Sequence, residues 1–329
     1  MLGVEASAGG ARGLGYSYTH AAAATIVERT LAPRVLGLDA LATRAAWDAM
    51  LESVRNFGHA GVAGAAIAAL DVALWDLKAR LLQVALADLL GRAQDRVPAY
   101  GSGGFTSASD AELAAQLEGW ATQGVEHVKM KIGRGIADDR RRVRVARRAV
   151  GPDVALFVDA NGAYSRKDAL RLAPMLADEG VPWLEEPVSS DDVEGLRLCR
   201  DRAPAPLRIT AGEYGWDLFA LSRLVDEGAV DVLQPDATRC HGVTGFLGAI
   251  ALCDAACIPF SPHTAPTLHA YLACASPRAL HVEWFHDHAQ MEAEIFDGAA
   301  TLEEGFLRPD RARPGLGIEL AERARRYEA

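Results

Sequence analysis

From Val97 onward the chain keeps one rhythm: a short apolar run, a helical stretch, then another short apolar run. Strand candidates at 97–101, 125–132, 155–159, 183–185, 207–213, 230–234, 258–261 and 280–284 alternate with helix candidates at 109–122, 137–149, 166–179, 191–201, 216–227, 243–256 and 266–275. Strands joined through helices run parallel, so their ends lie side by side. About eight units in strict alternation favour a closed (β/α) barrel over an open doubly wound sheet. No Gly-x-Gly-x-x-Gly follows the first of these strands, which weakens a dinucleotide-binding reading.

Residues 1–97 read differently. Gly13-Leu14-Gly15-Tyr16-Ser17-Tyr18 looks like the end of a strand, and helical segments follow near 21–33 and 40–54. A third, near 62–82, is apolar on nearly every face and is expected to be buried against another domain. The last segment, 298–329, carries Arg313-Pro314-Gly315-Leu316-Gly317-Ile318 and reads as a loop and short strand returning to the N-terminal unit. The expected division is 1–97, 98–297 and 298–329.

A net charge of −10 argues against a general binder of nucleic acid or anionic membranes. The N-terminus has no basic start and no sustained apolar region, and no stretch is apolar for long enough to span a bilayer. Five cysteines without a Cys-x-x-Cys pattern suggest free thiols in a reducing compartment. Cys253 and Cys257, one helical turn apart, read as small buried apolar residues. A cytoplasmic enzyme is expected.

Polar residues at the ends of barrel strands are the ones that carry chemistry. Asp159, Glu185 and Glu213 each close an apolar run, on successive strands. Three carboxylates brought together repel unless a hard cation sits between them, and an all-oxygen donor set points to magnesium rather than zinc. Lys129 and Lys131, two apart on one strand, share a face. Mutual repulsion and desolvation should push both ammonium groups downward in pKa, toward the range of a base, unless they reach solvent at the rim. Asp236 and His263 follow adjacent strands and should reach one another, the carboxylate fixing the imidazole tautomer. Glu283, at the end of the last strand, is either a protonated donor to a substrate carboxylate or a rim charge.

Lys129-x-Lys131, Val158-Asp159-Ala160-Asn161-Gly162, Leu184-Glu185-Glu186-Pro187, Gly212-Glu213, Pro235-Asp236-Ala237, Pro262-His263 and Glu283 together resemble the enolase superfamily, and within it the mandelate racemase subgroup. The resemblance covers nearly the whole chain. It implies a modified (β/α)7β TIM-like barrel under an α+β capping domain. It implies that Asp159, Glu185 and Glu213 bind Mg2+, that Lys131 is the base on one face with Lys129 near the substrate carboxylate, and that His263 with Asp236 serves the other face. It also implies that Asn161 and Glu283 contact the substrate. The family's cap normally starts with strands ahead of the equivalent of Gly13, which this chain is expected almost to lack, through a misassigned Met1 or a naturally short cap.

Chemistry in such sites is abstraction of the proton alpha to a carboxylate, with magnesium, Lys129 and Glu283 stabilising the dianionic enediolate. His263 then either delivers a proton to the opposite face, giving racemisation or epimerisation, or protonates a β-hydroxyl and expels water, giving a 2-keto acid. The resemblance favours dehydration of a sugar acid. A cycloisomerase is less expected, since the Asp236–His263 pair is not its usual equipment. A non-catalytic small-acid binder has no need of bases on both faces. The expected partners are a small carboxylate, with a sugar acid foremost, and further copies of the chain. Specificity should lie in the cap, where Arg55, Asn56, Phe57 and His59, or Tyr16, Tyr18 and His20, are candidates to reach the pocket or to form solvated loops.

Overall fold

The computed structural model describes residues 1–327; residues 328–329 of the C-terminal segment lie outside the described residues. Gly9 and Gly10, both at positive φ, turn the N-terminus into an antiparallel hairpin of β1 (Leu2–Ala8) and β2 (Ala11–Ser17). A two-residue turn of this kind wants left-handed backbone at both positions, which glycine adopts freely. A seven-residue strand thus precedes Gly13, where almost none was expected. The Gly-Gly signal was in the sequence, but small residues such as Ala6 and Ala8 hid the alternation around it.

β2 lies directly on the helix Val62–Leu81. A Cβ at Gly13 would stand 2.3 Å from the Ala73 carbonyl oxygen, and one at Gly15 would stand 2.1 Å from that of Ala69. Only glycine permits this backbone-to-backbone approach, which accounts for the Gly13-x-Gly15 spacing. On its other side the helix meets the helix Gly242–Ala256, so an all-round apolar surface is what its place requires.

That second contact includes a buried charge. Asp71 accepts hydrogen bonds from the backbone N–H and the hydroxyl of Thr244, each 2.8 Å, at the N-terminus of Gly242–Ala256. Burial pushes its carboxyl up to about 7, only partly offset by the Thr244 hydrogen bonds. The folded state therefore holds the Asp71 proton more tightly than the unfolded chain, whose carboxyl titrates near 4. Its contribution to stability is present below pH 4 and is lost as the pH rises through 7. Asp71→Asn keeps an acceptor and never ionises. It is expected to gain about 2 kcal/mol over the parent between pH 5 and pH 8. Denaturant melts of both proteins at the two pH values check this; an offset that does not change with pH would contradict it.

The barrel is a parallel array of β3 (Val97–Gly103), β4 (His127–Lys131), β5 (Ala155–Asp159), β6 (Trp183–Glu185), β7 (Arg208–Ala211) and β8 (Val232–Leu233), paired in that order. β9 (Val282–Phe285) pairs with β3 on the other side. The remaining place is taken by a single residue, Phe260, bridged to Leu233 and to Ala279. A full strand was expected at 258–261; Pro259 and Pro262 lack the N–H groups needed to extend the ladder. β7 stops at Ala211 because Gly212 leaves the strand at φ +145°. Tyr100, Phe157, Trp183 and Val232 fill the lower interior, with Phe157 and Trp183 stacked at 4.8 Å. Two residues further along β5 and β6 stand Asp159 and Glu185, so the parity that builds an aromatic floor also aims the acids at the upper interior.

The segment after residue 298 returns to both units. Phe306–Leu307 pairs with β3, the Leu316 N–H donates to Asp76 Oδ1 at 2.6 Å, and Arg80 binds Glu319. All five cysteines are free. Cys253 is buried as expected, but Cys257 is exposed, because the helix ends there in a left-handed residue.

Candidate active site

Asp159 and Glu185 are register partners across β5 and β6, and Glu213 follows two residues beyond the end of β7. One oxygen from each lies within 4.8 Å of the others, and all three residues are buried. Burial, followed by the charge of Asp159, pushes Glu185 up to about 8. Glu185 Oε1 and Glu213 Oε2 are shielded from solvent without a hydrogen-bond partner. Shielded carboxylate oxygens without partners are costly. Three converging oxygen donors of this kind fit a hard dication such as Mg2+. The wider charge balance agrees: Asp159, Glu185, Glu186, Glu213, Asp236 and Glu283, all buried, face the three permanent cations Lys129, Lys131 and Arg239.

The lysines depart from expectation. Lys129 is fully buried rather than extended to the rim, and its Nζ lies 2.6 Å from Glu185 Oε2 and 2.8 Å from Glu283 Oε1. Lys131 Nζ donates to Asp159 Oδ2, with 15 % of its side chain exposed. Burial does work against both charges, as expected. Glu185 and Glu283 outweigh it at Lys129, and Asp159 outweighs it at Lys131, so both are held above the ordinary lysine value instead of below it. The repulsion between the two lysines is the smaller effect: at Lys131 it ranks behind the charge of Asp159.

At the other end of the triad, His263 Nδ1 lies 2.8 Å from Asp236 Oδ2, and Nε2 lies 3.3 Å from Glu213 Oε2, close but not aligned for a hydrogen bond. Burial opposes the imidazolium, but Glu213 and the Asp236 hydrogen bond prevail and raise its pKa. Asp236 is buried too, yet His263 and Arg239 hold its carboxyl well below the usual range. The dyad is therefore assembled as its spacing predicted.

Glu283 is neither a protonated donor nor a rim charge. It is buried and accepts from Ser102 Oγ at 2.6 Å and the Thr264 N–H at 2.8 Å, besides Lys129. Although burial favours its neutral form, Lys129 and His263 hold it ionised, well below its ordinary pKa. Asn161 stands on a left-handed turn after β5; its backbone N–H donates to Asp159 Oδ1 at 2.8 Å, and its side chain is exposed. From the cap, Tyr16 is buried with its hydroxyl on Glu292, and His20 accepts from the Ala22 N–H. Arg55, Asn56 and Phe57 are exposed, while the His59 carbonyl is 2.7 Å from His241 Nε2.

Two residues beside the triad carry no weight in the sequence. Arg239 donates to the Glu213 carbonyl at 3.0 Å, pairs with Asp236 at 3.6 Å and lies over Tyr214 and Trp216. The Asp236-x-x-Arg239 spacing was its only signal. Glu186, at positive φ, is buried with one shielded oxygen that lacks a partner. Burial, then Glu213 and Asp159, push its carboxyl up to about 10.

Residues 2–91 match the family described as mandelate racemase / muconate lactonizing enzyme, N-terminal domain, and residues 112–324 match the enolase C-terminal domain-like family. L-Talarate/galactarate dehydratase of Salmonella typhimurium (strain LT2) is 30 % identical over 97 % of this chain and 79 % of that protein. The 3,6-anhydro-alpha-L-galactonate cycloisomerase of Streptomyces coelicolor is 32 % identical over 94 % of this chain and 86 % of its own. A mandelate racemase/muconate lactonizing enzyme-like protein from Rubrobacter xylanophilus superposes with a TM-score of 0.96 at 52 % identity, covering 99 % of this chain and 91 % of that one. L-Talarate dehydratase from Polaromonas sp. JS666, complexed with Mg and L-glucarate, gives 0.90 at 32 % identity, covering 97 % and 89 %.

Proposed function

Because this chain belongs to the mandelate racemase / muconate lactonizing enzyme family of the enolase superfamily, we propose that it is a magnesium-dependent lyase that dehydrates a sugar acid to a 2-keto-3-deoxy acid. One observation carries the reading. Lys131 stands against Asp159 at one end of the carboxylate triad and His263 against Glu213 at the other, so acid/base groups flank one cation site.

Asp159, Glu185 and Glu213 would hold the ion. When bound, magnesium supplies positive charge that draws the substrate carboxylate in, stabilises negative charge developing on it, and relieves the carboxylate field that keeps Lys131 protonated. Lys131 Nζ takes the proton alpha to the carboxylate. Lys129, buried between Glu185 and Glu283, cannot leave its place and presents fixed positive charge where the enediolate oxygens form. Asp236 keeps the proton on His263 Nδ1 and orients the ring, so Nε2 faces the pocket. When that nitrogen carries a proton, it donates it to the departing β-hydroxyl, and water leaves. Ser102 and the Thr264 N–H fix Glu283, which in turn fixes Lys129. We further propose a homo-oligomer in the cytoplasm; no helix among the described residues is long and apolar enough to cross a membrane.

The test is a panel of aldonic and aldaric acids assayed with Mg2+ for 2-keto-acid formation and, in D2O, for deuterium at the alpha carbon. Keto-acid formation from one or more members is the expected result. Exchange without keto acid would move the protein to the racemase or epimerase reading, which the same two flanking groups serve. The cycloisomerase among the relatives, at 32 % identity, makes ring opening or closure a further product to look for.

A further inference from the structure

Beyond the family's motif residues, one side chain just past the end of a site-forming strand takes no part in the catalytic scheme. β9 delivers Glu283, and the chain passes at Phe285 straight into the helix His286–Ile295. His288 therefore sits in the first turn of that helix, just past the strand end that faces the site. Tyr18 of the cap stacks on its ring, centroids 3.5 Å apart and planes 14° apart, while Phe285 meets it edge-on at 5.0 Å.

The stack is held from behind. The Tyr18 hydroxyl donates to Glu292 Oε1 at 2.8 Å, the same oxygen accepts from Tyr16 at 2.8 Å, and Glu292 Oε2 accepts from the Thr267 N–H at 3.0 Å. Glu292 is buried, so Tyr18 and the ring lying on it have a fixed place. Yet part of the ring's polar capacity is unused. His288 Nδ1 is shielded from solvent without a partner. Burial, then the charge of His263, hold the imidazole neutral, pushed down to about 4, against the opposing pull of Asp236 and Glu283. With Nδ1 shielded, Nε2 is the nitrogen left to meet a ligand, and on a neutral ring it makes one hydrogen bond to a hydroxyl and gives no charge to a second carboxylate.

We propose that His288 is a specificity-determining residue, held in place by Tyr18, that hydrogen-bonds a hydroxyl of the sugar-acid chain beyond the carbons that react. The inference rests on the sugar-acid reading and names how that site selects among such acids.

The test uses His288→Phe, which keeps the stack and removes both nitrogens, and His288→Gln, which returns a donor and an acceptor. Each is compared with the parent on the best six-carbon acid of the panel and on glycerate, which has no hydroxyl beyond C3. For the six-carbon acid, His288→Phe is expected to raise KM about tenfold or more with kcat little changed, and His288→Gln to recover part of the loss. Glycerate exchange at the alpha carbon should be the same in all three. An unchanged KM, or an equal loss on both acids, would overturn the inference, since the first denies the contact and the second makes the role structural. Should the parent turn over no acid, the dehydratase reading fails separately, and calorimetric binding of the six-carbon acids with Mg2+ decides. Binding at least tenfold weaker in His288→Phe upholds the inference. Equal binding, or none by the parent, rejects it.

Discussion

Lys131→Ala is expected to slow deuterium exchange at the alpha carbon by about a thousandfold, the middle of the range that a positioned base contributes. The loss should be confined to one face of the substrate. Lys131 stands at the Asp159 end of the triad and His263 at the Glu213 end, so an epimer whose alpha proton faces His263 should still exchange in Lys131→Ala and stop exchanging in His263→Asn. Neither change removes a metal ligand. Both variants should therefore keep whatever rise in melting temperature Mg2+ gives the parent. A Lys131→Ala protein that exchanges both epimers at the parent rate would remove the lysine from the mechanism.

Removal of the metal should have an effect as large. Treatment with a chelator is expected to abolish turnover, and re-addition of Mg2+ to restore it. Stability supplies a readout independent of chemistry. A ligand at a hundred times its Kd stabilises the fold by about 2.7 kcal/mol, which in a protein of this size raises Tm by several degrees. Glu213→Gln is the cleanest variant for this measurement. Asp159 and Glu185 each hold a lysine, so altering them also frees a buried ammonium, whereas Glu213 holds no lysine and stands farther from its cations, 3.3 Å from His263 and 3.7 Å from Arg239. The variant should lose most of the Mg2+-dependent shift in Tm. An undiminished shift would mean that the cation binds elsewhere.

How much of this was legible beforehand differs from residue to residue. Asp159 and Glu185 were visible because each closes a short apolar run in the βα repeat, a local pattern, and the structure then shows that strand parity aims them the same way as Phe157 and Trp183. Their adjacency followed from the βα rhythm, which leaves parallel order little freedom. Asp236 and His263 were paired by the same reasoning, even though the strand before His263 is reduced to one bridging residue. Glu213 was placed correctly for a reason the sequence did not contain, since β7 ends before it and Gly212 redirects the chain.

Charge state was not legible. Both lysines and Glu283 were assigned pressures that each feels, but the net direction came from groups on other strands. Lys129 is set by Glu185 and Glu283, Lys131 by Asp159, and Glu283 by Lys129. At separations near 3 Å in a buried site, a Coulomb interaction outweighs most other influences, and such separations exist only once the barrel is closed. The Tyr18–His288 stack is less accessible still, because it joins residues from two ends of the chain through the seating of the cap. The sequence by itself determined the barrel and the donor set, through periodicities of two and of a repeating βα unit that any local stretch displays. The tertiary structure decided which carboxylates are neutralised, which are left with unpartnered oxygens for a cation, and which side chains wall the pocket. Those depend on distances between groups far apart in the chain, which no local pattern encodes.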